Sequence, residues 1–202
     1  ALSKVMVDIG VRSGRQVVAM ITGMQEPLLE VSLLLGEQML ILSGLAGSQQ
    51  DARQQLLHAL ATGKGLQKFE EMIIAQGGDG RVCHDVGLLP TARETLHVES
   101  PVDGYIHLID AESVGNAAQL MGAGRRSKED QIDLAVGIVM NKRIGDRVSK
   151  GEALATLHVN KKDMVQTARN MLLDAFTFGD TPVAKAPLLY AKVTKDETER
   201  YQ

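Results

Sequence analysis

A change of pattern near residue 89 constrains the fold of this chain more than any other feature. Before it, long segments with helical apolar periodicity dominate, and beyond it short strand-like segments alternate with loops. The junction LLPTARETLHVESPVDG, residues 88–104, carries two prolines and no helical period. We therefore predict an α/β fold in two parts. Residues 1–88 form a partial, mainly helical α/β region, and residues 89–202 form an α+β module of mixed strands with interspersed helices.

Three helices are predicted in the first part. The second of them has Ser48 as its N-cap residue and Asp51 three positions later, which is typical of a helix start. The third has an apolar face made of Leu66, Phe69, Met72 and Ile73. These helices are predicted at about 29–43, 48–63 and 65–76.

The segment ahead of these helices is predicted to hold a short helix and a buried strand. Residues 1–14 have a helical pattern that ends at a glycine. The sequence RQVVAMITG, residues 15–23, is dense in β-branched and apolar side chains, which favours a strand. Pro27 then interrupts the backbone pattern.

Four strands and two helices are predicted in the second part. The last helix carries an apolar stripe from Met164 to Phe176, with Asn160 as N-cap residue and Asp163 at its third position. This places Lys161 in the first helical turn. The strands are predicted within ETLHVES, GYIHLID, GIVMNKRIG and ALATLHV, and the other helix at about 113–121.

Lys161 raises a separate functional hypothesis. The sequence GDRVSKGEALATL followed by this lysine is similar to biotinyl and lipoyl carrier domains, in which a modified lysine carries the cofactor. Such a lysine has to lie at an exposed hairpin tip with a strand on each side, whereas here a helix is predicted to follow. A carrier module with Lys161 modified remains the alternative function. An added biotin or lipoyl mass on the intact chain would support it.

Composition indicates neither nucleic acid nor membrane as a partner. The chain of 202 residues has a formal net charge of −3, and 44% of its residues are hydrophobic, which is typical of a globular protein. The longest apolar run, residues 31–47, is interrupted by Glu37 and is too short to span a bilayer. The single cysteine, Cys83, allows no disulfide within the chain and favours a reducing compartment.

No motif in the sequence identifies a catalytic centre. The five histidines lack zinc-ligand spacing, and the Walker, G-x-S-x-G and H-E-x-x-H patterns are absent. The loop GAGRRSKEDQIDLAVG packs charges of both signs between apolar segments, which favours an ion-pair network that fixes the loop against another surface. An anion site made by Arg125 and the glycine amides is the alternative for this loop.

Several long segments resemble the thymidine phosphorylase family of pyrimidine-nucleoside phosphorylases. They are VMVDIGVRSGRQVVAMITGMQEPL, FEEMIIAQGGD, SPVDGYIHLIDAESVGNAAQLMGAGRRSKEDQIDLAVGIVMNKRIGDRVSKGEALATLHVN and PLLY. The resemblance implies a homodimeric cytoplasmic salvage enzyme, a pentosyltransferase that cleaves thymidine, deoxyuridine or uridine with phosphate as co-substrate. It implies no organic cofactor and a cleft that closes between a helical domain and an α/β domain.

The chain departs from this family in two ways. The family's Lys-His-Ser-Thr-Gly-Gly phosphate motif and its pyrimidine-binding residues are absent, so the resemblance implies one wall of the cleft and an inactive chain when alone. A segment that the family has between the counterparts of Leu28 and Leu29 is also absent, either deleted or missing from this sequence. The Leu28 backbone corresponds to part of a monovalent-cation site in some members.

These departures leave no catalytic or substrate-binding residue to name. By the same resemblance, Arg125, Lys128 and Asp130 are expected to act in closure or packing rather than in chemistry. A paralogue that kept only this half, without catalysis and with an interaction role, is a further alternative. The phosphate motif in the same reading frame upstream of Ala1 would exclude it.

Overall fold

The fold is described here from a computed structural model that covers residues 19–22, 28–125, 127–184 and 188–200. The chain forms two compact units. Unit 1 comprises residues 1–83 and 186–202, and unit 2 comprises residues 84–185. The α/β class with an α+β second part is confirmed. The two domains predicted at 1–88 and 89–202 stay a prediction.

Unit 1 has three helices among its described residues, and all three were predicted. Helices α1 and α2 pack against each other, and α2 also contacts α3. The Ser48 hydroxyl accepts a hydrogen bond from the Asp51 backbone N–H at 3.2 Å, which confirms the predicted cap of α2. The helices are α1 (Leu28–Leu42), α2 (Gln49–Ala61) and α3 (Lys64–Ala75).

A buried carboxylate fixes the α1–α2 pair. Glu37 on α1 is fully buried, and its two oxygens accept hydrogen bonds from Arg53 at 2.7 Å and from Gln49 at 2.8 Å. Arg53 also binds Glu30, which precedes Glu37 on the same face of α1. Since a buried charge is tolerated only when it is paired and hydrogen-bonded, this network specifies how the two helices align.

A small antiparallel sheet completes the part of unit 1 that the structure describes. Strand β1 (Ala19–Thr22) lies within the predicted RQVVAMITG strand and pairs with β8 (Leu189–Val193), which in turn pairs with β9 (Thr198–Arg200). The helix predicted at 1–14 lies outside the described residues.

Unit 2 is built from two three-stranded antiparallel sheets and two helices. One sheet has the order β2–β6–β4, and the other has the order β5–β3–β7. The strands are β2 (Glu94–Glu99), β3 (Gly104–Ile109), β4 (Gly137–Met140), β5 (Arg147–Val148), β6 (Ala153–Val159) and β7 (Phe176–Gly179), and the helices are α4 (Ala111–Ala118) and α5 (Val165–Asp174).

Strand β6 is the centre of the core of unit 2. Leu157 pairs with Leu96 of β2 on one side and with Ile138 of β4 on the other, and it is fully buried. Ala168 and Leu172 of α5 belong to the same buried cluster. The alternation of side chains along a strand sends Leu157 and Val159 to this core while Thr156 and His158 face the other side.

The predicted start of the last helix is wrong. Helix α5 begins after Met164, with no side-chain cap, because the Asn160 side chain is held by other partners. Lys161 and Lys162 therefore lie in the connection between β6 and α5 and not in a helical turn. The apolar stripe was also read too far, since Phe176 is the first residue of β7.

Two other predicted elements differ from the structure in extent. Helix α4 starts earlier than predicted because the Asp110 carboxylate caps it by accepting from the Ser113 N–H at 3.2 Å. Only the first part of GIVMNKRIG is a strand. After β4 the chain turns, with Arg143 donating its N–H to the Asp146 carboxylate at 2.8 Å.

Among the residues that the structure describes, no helix is long and apolar enough to cross a membrane.

Candidate functional site

A pocket of about 400 Å³ in unit 2 is the candidate site. Three segments make its walls: the turn after α4, the loop before β4, and the connection between β6 and α5. It is lined by Gln119, Leu120, Met121, Gly122, Gly124, Asp130, Gln131, Asp133, Lys161, Asp163 and Met164.

A π-helical turn at Gln119–Ala123 shapes the first wall. Gly122 in this turn has φ 105°, a conformation that side-chain-bearing residues rarely adopt. Its carbonyl accepts a hydrogen bond from the Asp133 N–H at 3.0 Å. This bond ties the turn to the loop before β4, so two of the three lining segments are joined to each other.

Asp133 is the most constrained carboxylate of the pocket. One oxygen accepts from Asn160 Nδ2 at 2.8 Å and the other from the Ala135 N–H at 3.0 Å. The hydrogen bond from Asn160, then that from Ala135 and the nearby charge of Lys161, lower the pKa of Asp133 below its usual value. The group is therefore a fixed negative charge and not a proton donor near neutral pH.

Lys161 and Asp163 line the pocket from the β6–α5 connection and are exposed. The residue between them, Lys162, pairs with Glu94 at the start of β2 at 2.8 Å. The lining thus holds one cation and three carboxylates, while Met121 is buried beneath it. Among the described residues the lining has no histidine, cysteine or hydroxyl side chain, and its charged side chains can bind and orient a polar group.

The predicted closure residues lie on one loop, but only one of them lines the pocket. Asp130 faces the pocket and accepts hydrogen bonds from the N–H and hydroxyl of Ser127, both at 3.1 Å. Arg125 and Lys128 are exposed. The Arg125 carbonyl accepts from Gln119 Nε2 at 2.6 Å, which ties this loop back to the π-helical turn. Their roles in closure stay a prediction.

The remaining candidates belong to unit 1 and do not line the pocket. Leu28 is the first residue of α1, and its carbonyl accepts a hydrogen bond from the Ser32 hydroxyl at 2.8 Å. Cys83 ends a single 3₁₀ turn in unit 1 and is partly buried. No group of three histidine, cysteine or acidic side chains suited to a metal ion occurs within the described ranges. The cation site at Leu28 stays a prediction.

The position of Lys161 does not provide what a carrier lysine needs. Both strands that pair with β6 precede it in sequence, and the chain continues from Lys161 into α5 rather than into a return strand. Lys161 therefore follows the end of a strand at a pocket wall instead of lying at a hairpin tip.

Sequence reasoning missed the residues that organise this pocket. Asp133 and Gln119 were read as ordinary members of a loop and a helix, and Asn160 was assigned to a helix cap. An Asp-x-Ala pattern is a signal for a local side-chain-to-backbone turn, as the Asp133–Ala135 bond shows. No local pattern could have given the long-range bond between Asp133 and Asn160.

Comparison with known families gives the class of domain that contains this pocket. Residues 105–179 match the family model described as the pyrimidine nucleoside phosphorylase C-terminal domain, and every lining residue falls within that range. The curated relatives below carry the same name, so the chain is similar to pyrimidine-nucleoside phosphorylases over most of its length. This confirms the resemblance seen in the sequence.

Curated relatives named pyrimidine-nucleoside phosphorylase match most of the chain. The Geobacillus stearothermophilus protein is 38% identical over 96% of this chain and 50% of its own length. The Staphylococcus epidermidis protein is 39% identical over 81% of this chain and 44% of its own length, and the Bacillus subtilis protein is 39% identical over 81% and 43%. The chain thus spans about half the length of the curated relatives it matches.

The matched region of the Geobacillus relative is longer than this chain. The alignment with the Geobacillus protein extends over 219 residues, which exceeds the 202 residues present here. The relative therefore carries internal residues without a counterpart in this chain. Helix α1 runs continuously through Leu28 and Leu29, where the missing segment was predicted, and that location stays a prediction.

Proposed function

We propose that this chain is part of a pyrimidine-nucleoside phosphorylase, which cleaves thymidine, deoxyuridine or uridine with phosphate. The products are the free pyrimidine and a ribose or deoxyribose 1-phosphate. The observation that carries the proposal is the 38% identity over 96% of the chain with a relative of that name. The match of residues 105–179 to the C-terminal domain of the same family supports it independently.

Within this enzyme, the chain supplies one wall of the substrate cleft rather than the chemical groups. The pocket lining offers charged and amide groups among its described residues, which can hold and orient a bound group as a wall does. The phosphate-binding motif of the family is absent from the sequence. In this role Arg125, Lys128 and Asp130 act in closing or packing the loop over bound substrates, since closure excludes water and positions the reacting groups.

The finer properties of the enzyme follow from the family resemblance. We propose a homodimer that works in nucleoside salvage in the cytoplasm, uses phosphate as co-substrate and needs no organic cofactor. A monovalent cation held partly by the Leu28 carbonyl belongs to the same proposal. That carbonyl already accepts from the Ser32 hydroxyl, so exchanging Ser32 for alanine should leave the oxygen freer to bind the ion.

Completing the chain tests the proposed activity. The chain is joined to the residues of the Geobacillus relative that precede or interrupt its match, and it is also purified alone. We expect thymine or uracil release to depend on phosphate in the joined protein and to be absent from the chain alone. A folded joined protein without phosphorolysis would contradict the family activity, whereas release by the 202 residues alone would contradict the role as a wall.

Arginine exchange tests the proposed role of the loop in the joined protein. Arg125→Ala removes an exposed cation but keeps the backbone bond from Gln119, so the loop stays attached to the π-helical turn. We expect kcat/KM to fall about tenfold because the attached loop lacks the charge that acts in its closure over bound substrate. Arg143→Ala is the matched control, since Arg143 is also exposed and lies outside the pocket. Equal kinetics of the two variants would refute the role.

A further inference from the structure

Asn160 uses both ends of its side chain to join separate parts of unit 2. Its Nδ2 donates to Asp133 in the loop before β4 at 2.8 Å. Its Oδ1 accepts from the Arg93 N–H, just ahead of β2, at 2.9 Å. Asn160 itself directly follows β6. One amide therefore links three segments that are far apart in the chain, which a helix-cap residue would not do.

The same amide is connected to all three segments that line the pocket. Asp133 lines the pocket, and its N–H donates to the carbonyl of Gly122, another lining residue. Lys161, the residue next to Asn160, lines the pocket from the β6–α5 connection. Because the side chain of Asn160 is held at both ends, the direction in which the chain leaves β6 is fixed, and with it the position of Lys161.

We infer that Asn160, acting through Asp133, is the positioning residue of this pocket. It holds the loop 122–135 and the β6–α5 connection in one arrangement, so that the pocket is formed before any ligand binds. Such preorganisation lowers the ordering cost of binding. The inference concerns how the pocket is built and does not rest on the proposed phosphorolysis.

The hydrogen bonds made by Asp133 and Asn160 allow the two side chains to be swapped. This swap distinguishes a positioning role from a role in packing alone. Asp133 is acceptor for two donors, and Asn160 is donor to one group and acceptor for another. In Asp133→Asn with Asn160→Asp, the new amide at 133 donates to the new carboxylate at 160. Its oxygen still accepts from the Ala135 N–H, and the carboxylate still accepts from the Arg93 N–H. All the contacts are therefore restored with the charge moved across the bond.

Each single exchange breaks the pattern in a different way. Asn160→Asp places two carboxylates against each other, which removes the donor and adds repulsion. Asp133→Asn leaves one carbonyl oxygen to serve both the Asn160 amide and the Ala135 N–H, so one of these donors loses its partner.

Amide hydrogen exchange of the folded 202-residue chain measures the effect. We expect each single variant to raise exchange in residues 122–135 about tenfold, as the loss of one hydrogen bond would, and the double variant to return near the parent rate. Amides of β3 and β7 serve as internal reference. Asn170→Asp on α5 is the matched control, because Asn170 is exposed and accepts from Gln166 on its own helix.

Each result of the exchange experiment either supports or overturns the inference. Unchanged exchange in both single variants overturns it, and so does a double variant that exchanges as fast as the single variants. Should a single variant unfold unit 2, its thermal melting replaces the exchange readout. A double variant that regains the cooperative melt then supports the inference, and one that stays unfolded overturns it.

Discussion

The two units bury their apolar side chains very differently. In unit 1, helix α3 has no buried residue, and Leu66, Phe69 and Met72 along one face are 44–50% exposed. In unit 2, Leu157 of β6 is fully buried between two sheet partners and a helix. Both regions have clear apolar periodicity in the sequence. A periodic apolar face therefore predicts the element that carries it, but not whether the same chain covers that face.

The two units also hold their helices and strands together in two different ways. Unit 2 relies on a continuous apolar cluster around β6 and α5. The α1–α2 pair of unit 1 instead places a buried carboxylate, Glu37, at its centre, while Gly36 beside it lets Leu56 approach the α1 backbone. An apolar core stabilises through area removed from water, whereas a buried charge specifies alignment at a desolvation cost.

Truncating Leu157 should produce the largest effect. Leu157→Ala removes a fully buried side chain between both sheet partners, so we expect the free energy of unfolding of unit 2 to fall by about 2–5 kcal/mol. Amide exchange of β2, β4 and β6 measures this loss for the unit itself. Leu60→Ala in α2 is the control, because Leu60 is 52% exposed and should change stability by no more than about 0.5 kcal/mol. Equal losses at the two positions would remove the contrast between the units.

Removing the buried carboxylate tests the second half of the contrast. Glu37→Ala leaves Gln49 without its acceptor and Arg53 with only Glu30, so we expect the melting temperature of the helices to drop by roughly 5–10 °C. Circular dichroism in the far ultraviolet follows the transition. Glu30→Ala is the matched control, since Glu30 binds the same arginine but its side chain is 42% exposed. A larger drop in melting temperature for Glu30→Ala would show that burial does not make Glu37 the more important of the two carboxylates.

Features that depend on residues close together in the sequence could be predicted, whereas features that depend on contacts between distant segments could not. The cap of α2, the positions of α1–α3 and the strands β2, β3 and β6 depend on neighbours within a few residues, and they were predicted correctly. The start of α5 was wrong because Asn160 is an attractive local cap residue whose side chain is taken by Asp133 and Arg93. The pocket could not be predicted for the same reason. Its walls are brought together by hydrogen bonds between distant segments.

Loss of the cap on α2 should have a smaller effect than loss of Glu37. Ser48→Ala removes the acceptor for the Asp51 N–H, and we expect a loss of about 1 kcal/mol in unfolding free energy. Ser32→Ala provides the comparison, because the Ser32 hydroxyl only donates to a carbonyl inside α1 and satisfies no free helix end. Denaturant titration of both variants, compared at equal m-value, gives the difference in their unfolding free energies. If the two losses match, the cap contributes no more than any surface hydroxyl.

The smallest effect on the stability of the whole unit is expected at the Asp133 carboxylate, whose bond with Asn160 acts locally on the loop. Its pKa is lowered first by the bond from Asn160, so Asn160→Ala should raise that pKa toward the usual value, as carbon-detected NMR titration can follow. A carboxyl whose folded pKa lies below its unfolded value stabilises the fold above the unfolded pKa, and this contribution disappears as pH falls through the folded value. The stability difference between parent and variant should therefore be present at neutral pH and shrink in acid. Gln166→Ala, which leaves the Asp133 bonds intact, should titrate like the parent. A difference that grows in acid would show that Asn160 does not act through the ionised carboxylate.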